Sequence, residues 1–304
     1  MMRAKHFPWR LSSPVRRVWP AIAADLLLFL VFLYLALGSA SSSGSSTFTE
    51  ALEGQPDPLP PARAVVQPGL GNLKVDLADG LAEGPADVAI ALRDETGDIV
   101  LDVEADMRFV LASVSKLYIL AAYLDIREQE GDSLDTVEVG LLDDMIRYSD
   151  NASATLLWRR IGQEDGLDTF LAENALAPLD LVEKDAWGTI NATAGEVSEL
   201  LWRLVTGRLL GPDGTMIARD LLSDVFPEQA WGVSAGASPG GPAVMLKNGW
   251  YPESEGWRVN SAGVIQGAEG SYVLVILAYP APSLEEGITL LEDVARRINA
   301  FIGE

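Results

Sequence analysis

Leu111-Ala112-Ser113-Val114-Ser115-Lys116-Leu117-Tyr118-Ile119-Leu120 sets a serine where an apolar helix is expected to begin, with a lysine three residues on. Residues three apart share a helix face, so the Ser113 hydroxyl and the Lys116 amine are expected to meet. The helix N-terminus favours negative charge developing there. Taken alone, the pair also reads as a helix cap followed by a common lysine. The rest of the chain gives it a chemistry by removing alternatives. The 304 residues contain no cysteine, and the single histidine, His6, lies in a basic N-terminal tail. Thiol nucleophiles, disulfides, thiolate zinc sites and a Ser-His-Asp triad in the folded part are excluded. A hydrolytic site must draw its base from Lys, Asp, Glu or Tyr. No cofactor and no metal are expected.

Net charge is −22, and Arg3, Lys5, Arg10, Arg16 and Arg17 against Asp25 give residues 1–40 a charge of +4, so the remainder carries −26. A body this acidic repels nucleic acid, and no nucleic-acid partner is expected. Of the 22 basic residues only Lys5, Lys74, Lys116, Lys184 and Lys247 are lysines. Arginine cannot give up its proton in a protein, whereas a buried lysine can act as a base.

Composition divides the chain into four parts. Residues 1–18 form a basic tail. Residues 19–38, containing Pro-Ala-Ile-Ala-Ala-Asp followed by an apolar run from Leu26 to Leu37, read as a transmembrane anchor or a signal h-region. As an anchor, the basic tail would stay in the cytoplasm. As a signal, cleavage would follow Gly38-Ser39-Ala40. Either way the remainder is expected outside the membrane, tethered by a single span or secreted. Residues 39–72 form a Ser/Gly/Pro-rich linker. Residues 73–304 form the globular domain.

Within the domain, 72–81 reads as a short helix. Residues 87–93 and 99–103 read as strands of a hairpin about the Glu95-Thr96-Gly97-Asp98 turn. Helices are expected from Ser113 to about Ile126, ending near Gly131, and over 152–161, 167–173, 196–204 and 219–225. The fourth of these opens with a capping box, Thr193 and Glu196. Strand patterns return at 243–246, 257–265 and 271–279. Leu284, Ile288, Leu291, Ala295, Ile298 and Ile302 then mark one face of a closing helix. The class is α+β. Strands from both ends join in one antiparallel sheet with the last helix on it, and a helical insertion forms a second lobe. A site is expected in the groove between the lobes.

Two further triplets stand where that groove would be. Ser149-Asp150-Asn151 precedes a helix, and Lys247-Asn248-Gly249-Trp250 ends the strand Val244-Met245-Leu246, where Asn-Gly signals a turn. Ser-x-x-Lys, Ser-Asp-Asn and Lys-x-Gly in this order resemble the penicillin-recognising serine enzymes, the class A β-lactamases and D-Ala-D-Ala peptidases. Trp187-Gly188-Thr189, Leu246-Lys247-Asn248-Gly249-Trp250 and Trp257-Arg258-Val259-Asn260-Ser261 resemble more closely the β-lactamase-related serine hydrolases of actinobacteria. The resemblance covers about residues 73–304. It implies a five-stranded antiparallel sheet flanked by helices beside an all-α lobe.

It also implies roles. Ser113 is the nucleophile and Lys116 its base, with a pKa lowered by burial and by the charge of Lys247. Ser149 relays the proton to the leaving nitrogen. Asn151 holds the substrate amide, and Lys247 attracts its carboxylate. The N–H groups of Ser113 and Trp250 make an oxyanion hole. Arg258 is a second carboxylate contact. The partner class is a small-molecule β-lactam or a peptidoglycan stem peptide.

Two departures stand out. Asn248 replaces the usual Thr or Ser and is expected to donate hydrogen bonds to the carboxylate in its place. The loop before the helix at Glu196 lacks the Glu-x-x-x-Asn that activates a deacylating water, leaving Glu183 or Asp185 as substitutes. The expectation is a serine hydrolase that acylates Ser113 and deacylates slowly. The alternatives are a D-Ala-D-Ala carboxypeptidase or transpeptidase, and a non-catalytic, membrane-tethered muropeptide-binding protein.

Overall fold

The computed structural model describes residues 69–237, 244–267 and 270–303. The tail, the apolar segment at 19–38 and nearly all of the linker lie outside the described residues. Among the described residues no helix is long and apolar enough to cross a membrane.

The strands are β1 (Asp87–Arg93), β2 (Ile99–Val103), β3 (Arg108–Val110), β4 (Asp180–Leu181), β5 (Ile190–Thr193), β6 (Met245–Pro252), β7 (Trp257–Gly267) and β8 (Gly270–Ala281). The α-helices are α1 (Leu70–Ala82), α2 (Lys116–Glu130), α3 (Thr136–Arg147), α4 (Asn151–Arg160), α5 (Gln163–Glu173), α6 (Ala194–Val205), α7 (Pro212–Ser223) and α8 (Leu284–Ile302). The main sheet has five strands in the order β2-β1-β8-β7-β6, and every pairing in it is antiparallel. A small sheet, β3-β5-β4, bridges towards the helical lobe.

The central strand β8 is apolar on both sides because both of its faces are covered. Val273, Val275 and Leu277 join the core of the helical lobe, while Leu274, Ile276 and Ala278 meet Leu291, Ala295, Ile298 and Ile302 of α8. Leu284 and Ile288 of the same helix stripe are half-buried at its edge. Each fully buried Leu or Ile contributes about 1.5–3 kcal/mol, so this layer is a main source of stability. In the helical lobe α2 is the hub: Lys116 through Leu124 are all buried, as expected for a helix apolar around its whole circumference. The Thr193–Glu196 capping box forms at α6, and Asp135 with Glu138 makes another at α3, a helix the sequence pattern had not resolved.

Three sequence expectations change. The Lys247-Asn248-Gly249 triplet is not at a strand end, because β6 runs through it to Pro252 with Asn248 opposite Ser261 and Gly249 opposite Asn260. Pairing along β7 overrides the Asn-Gly turn preference. Helix α7 begins at Pro212 rather than near Arg219. Gly211-Pro212-Asp213-Gly214 looks like a turn, but Pro suits the first helical position. The Glu128 carboxylate also accepts from the Gly211 and Gly214 N–H groups at 2.9 and 3.1 Å, capping α7 from a distant helix. Finally, Ser113 stands in a 3-10 turn, Ala112–Ser115, that leads into α2.

That turn is pressed against β6. A Cβ on Gly249 would lie 2.6 Å from Ser113 N and 2.7 Å from both Leu111 O and Val114 N, all backbone atoms. Gly249→Ala is therefore expected to destabilise the fold by about 1–3 kcal/mol and to displace Ser113, read as a lowered thermal midpoint together with lost Ser113 reactivity.

Candidate active site

Ser113 is partly exposed at the mouth between the lobes, and the residue before it, Ala112, has a left-handed φ of 52°. A side chain in that region is strained, and the strain is held by packing: Ser115 Oγ donates to Ala112 O at 2.6 Å, and Leu111 N donates to Ile190 O of β5 at 2.9 Å. Ser149, in the elbow between α3 and α4, is also left-handed, with φ 59°. Asp150 fixes that elbow by capping α4, its Oδ1 accepting from Ser153 N at 2.6 Å.

The two motif lysines converge on Ser149. Lys116 Nζ donates to Ser149 Oγ at 3.1 Å, to Asn151 Oδ1 at 2.9 Å and to the Ser149 carbonyl. Lys247 Nζ donates to Ser149 Oγ at 2.9 Å and to Asn248 O at 3.0 Å. Both lysines are essentially closed to solvent. Burial pushes the Lys116 amine from its ordinary 10.5 down to about 7, against the pull of the Asp150 carboxylate towards the charged form. Burial also lowers Lys247, and repulsion from Lys116 lowers it further.

Lys116 and Ser113 share a turn as anticipated, and the Lys116 backbone N–H donates to Ser113 O, but the bonds of the lysine amine go to Ser149 and Asn151 and none goes to the Ser113 hydroxyl. An ammonium has three protons, and this one spends all three. On becoming neutral it keeps two, so one of these bonds must open and a lone pair becomes free.

Gly249 lies on the Ser113 side of β6. This is the edge strand, so alternate N–H and C=O groups point away from the sheet. The Asn248 carbonyl that accepts from Lys247 lies on that free edge, and Trp250, two residues on, turns its N–H the same way. The Trp250 ring packs edge-on against Trp231, with centroids 5.6 Å apart.

Two expected substrate contacts are engaged elsewhere. Asn248 is 1% exposed; its Nδ2 donates to Gln229 O and Trp231 O at 2.8 and 3.0 Å, and its Oδ1 accepts from Ser261 Oγ at 2.6 Å. Strand alternation sends residue 248 to the face opposite Lys247, so it secures the 227–234 segment rather than meeting a ligand. Arg258 is bound in bidentate fashion by Glu253, at 2.7 and 3.0 Å, and lies 3.9 Å over the Tyr279 ring. Its guanidinium holds Glu253 down at about 2.

Glu183 and Asp185 are exposed, and neither carboxylate bonds to Ser113, Lys116 or Ser149. The loop brings a different side chain to the site. The Trp187 ring centroid lies 5.0 Å from Lys116 Nζ. The sequence marked Trp187-Gly188-Thr189 as a motif without giving the indole a role; its apolar ring beside a buried lysine could not be read from spacing. Among the described residues no cluster of His, Asp or Glu could hold a metal ion.

A family model described as the beta-lactamase enzyme family matches residues 138–302, more than half of the chain. The match takes in Ser149-Asp150-Asn151 and Lys247 and begins after Ser113. A search of curated proteins gives no match. Among solved structures, the TLA-3 extended-spectrum β-lactamase superposes with a TM-score of 0.70 at 14% identity, covering 78% of this chain and 100% of that one. A class A β-lactamase from Bacteroides cellulosilyticus gives 0.68 at 15% identity, over 78% and 99%. The penicillin-binding protein PBP-A gives 0.63 at 18% identity, over 80% and 98%. At these identities the superpositions speak for the fold, and the family match speaks for descent. With three motifs meeting at one groove of that fold, the chain belongs to the beta-lactamase enzyme family, within the superfamily of penicillin-recognising serine enzymes.

Proposed function

We propose that the protein is an extracytoplasmic acyl-serine enzyme whose Ser113 takes its acyl group from a β-lactam or a cell-wall stem peptide. The observation that carries this reading is the buried Lys116 amine, lowered to about 7 and bonded to the hydroxyl that Lys247 also holds. Near neutral pH such an amine exists partly as a free base. Its lone pair takes the Ser113 proton as Ser113 Oγ bonds to the substrate carbonyl carbon. The oxyanion that forms faces the N–H groups of Ser113 and Trp250. As the C–N bond breaks, Ser149 Oγ gives its proton to the leaving nitrogen and is reprotonated by Lys116. The amine returns to its free form, and an ester on Ser113 remains.

With Asn248 and Arg258 engaged, a substrate carboxylate is left to Lys247. An arriving anion favours the ammonium form of that lysine and so strengthens the contact. The basic tail and the apolar segment at 19–38 support a site held outside the membrane, by an anchor or after export. The loop before α6, whose Glu183 and Asp185 are exposed, favours a second reading, a tethered binder of muropeptides without turnover.

Incubation with a fluorescent penicillin, followed by intact mass, separates these readings. The wild type is expected to gain one adduct and Ser113→Ala none. An absence of adduct in the wild type would favour the binder. Lys116→Arg keeps the charge but cannot supply a free base, and acylation is expected to slow by about a hundredfold or more.

The pH dependence follows from Lys116. The base form exists above its pKa, so the acylation rate is expected to level off above about 7. Below that pH it should fall about tenfold per unit in stopped-flow measurements.

A further inference from the structure

The loop between β4 and β5 turns its acids outward and its indole inward. Trp187 is held from several sides. Its Nε1 donates to Thr155 Oγ1 at 3.2 Å, and that hydroxyl donates to Asn151 O at 2.8 Å. Trp158 Nε1 donates to Asp185 O at 2.9 Å, fixing the loop two residues before the indole. Thr189 closes it from the other end, accepting from Glu183 N at 3.0 Å and donating to Ala186 O at 2.8 Å. The ring is thereby set 5.0 Å from Lys116 Nζ, whose three donors already meet Ser149 and Asn151. The lysine side chain has no solvent exposure.

We propose that Trp187 is a positioning residue that shuts water away from the Lys116 amine and so makes the acyl group on Ser113 long-lived. The proposal rests on the acylation reading above. Hydrolysis needs a water oxygen to bond to the ester carbon while a base takes one water proton. The Ser113 Oγ–C bond then breaks and Oγ receives the proton. After acylation the base within the site is the free Lys116 amine, since the Glu183 and Asp185 carboxylates are exposed and unconnected to it. A water using that base has to stand beside Nζ, where the indole is. Activated water is therefore excluded by shape, and the site retains the ester.

The test compares wild type, Trp187→Phe, Trp187→Ala and Trp187→Glu after brief labelling with the fluorescent penicillin and removal of the excess. Intact mass follows loss of the adduct. Wild type and Trp187→Phe are expected to keep it, the smaller ring still filling the space. Trp187→Ala, which admits water, and Trp187→Glu, which also supplies a base, are expected to lose it about ten- to a hundredfold faster. Decay at the wild-type rate in both variants, with an unchanged thermal midpoint, overturns the proposal. So does rapid turnover by the wild type.

A second measurement does not need acylation. Carbon-13 labelled lysine lets Lys116 be titrated by NMR in wild type, Trp187→Phe and Trp187→Ala. Removing a ring that attracts the cation lowers the lysine pKa, whereas admitting water raises it. The two effects of the indole therefore differ in sign. A rise in Trp187→Ala that Trp187→Phe does not share supports exclusion of water. A fall, or no change, overturns it. If the wild type forms no adduct, the acylation reading fails by itself, and the titration still decides whether Trp187 keeps water from Lys116.

Discussion

Ser149 Oγ lies 3.1 Å from the Lys116 amine and 2.9 Å from the Lys247 amine, and neither lysine reaches bulk water. Two ammonium groups so placed would each lose hydration worth several kcal/mol and would repel each other as well. The arrangement persists because it need not hold two charges. Burial lowers both lysines, and Asp150 alone pulls Lys116 back towards its charged form. The same physics leaves a lysine that can be neutral near pH 7, the form in which an amine is available for proton transfer. The rest of the fold serves to bring these three groups together. Lys116 comes from the start of the buried helix α2, Ser149 from a left-handed elbow between two helices, and Lys247 from the edge strand of the sheet.

Close packing then fixes Ser113 relative to them. The left-handed Ala112 and the bare Cα of Gly249 let the Ser113 turn rest directly on β6. A larger residue at 249 would have to push backbone atoms, which cannot rotate aside as side chains do. The polar residues beneath β6 act in support: Asn248 ties the strand to the 227–234 segment, and Asn260 donates to Val110 O at 3.0 Å just ahead of the turn. Asn248 was expected from the sequence to meet a ligand, and in the fold both side chains are structural braces.

Much of the architecture was legible because it is written in local periodicity. The apolar runs at 87–93 and 99–103 needed only Glu95-Thr96-Gly97-Asp98 between them to read as a hairpin, and the stripe from Leu284 to Ile302 needed only a helical period. The Thr193–Glu196 capping box was a local signal as well. Signals failed where a distant group competed. Asn248-Gly249 prefers a turn, but pairing with β7 from Met245 to Pro252 holds it extended. Gly211 to Gly214 resembles a loop until the Glu128 carboxylate from α2 supplies its cap.

For the site, composition narrowed the chemistry and a resemblance named the participants. With no cysteine and no histidine outside the tail, lysines and acids remained as bases, and the ordered Ser-x-x-Lys, Ser-Asp-Asn and Lys-x-Gly motifs implied Ser113, Lys116, Ser149 and Lys247. What the sequence could not settle was which atoms each side chain would meet. Spacing pairs Lys116 with Ser113, but in three dimensions its protons go to Ser149 and Asn151. Composition leaves Arg258 free for a ligand, but Glu253, five residues away across a turn, takes it in bidentate fashion. The loop acids looked like bases, and an indole came inward instead. The sequence determined the inventory and the secondary structure, because those depend on residue chemistry and short-range period. The tertiary structure alone decided hydrogen-bond partners, burial and access of water, because these depend on what distant segments bring to the same few ångströms.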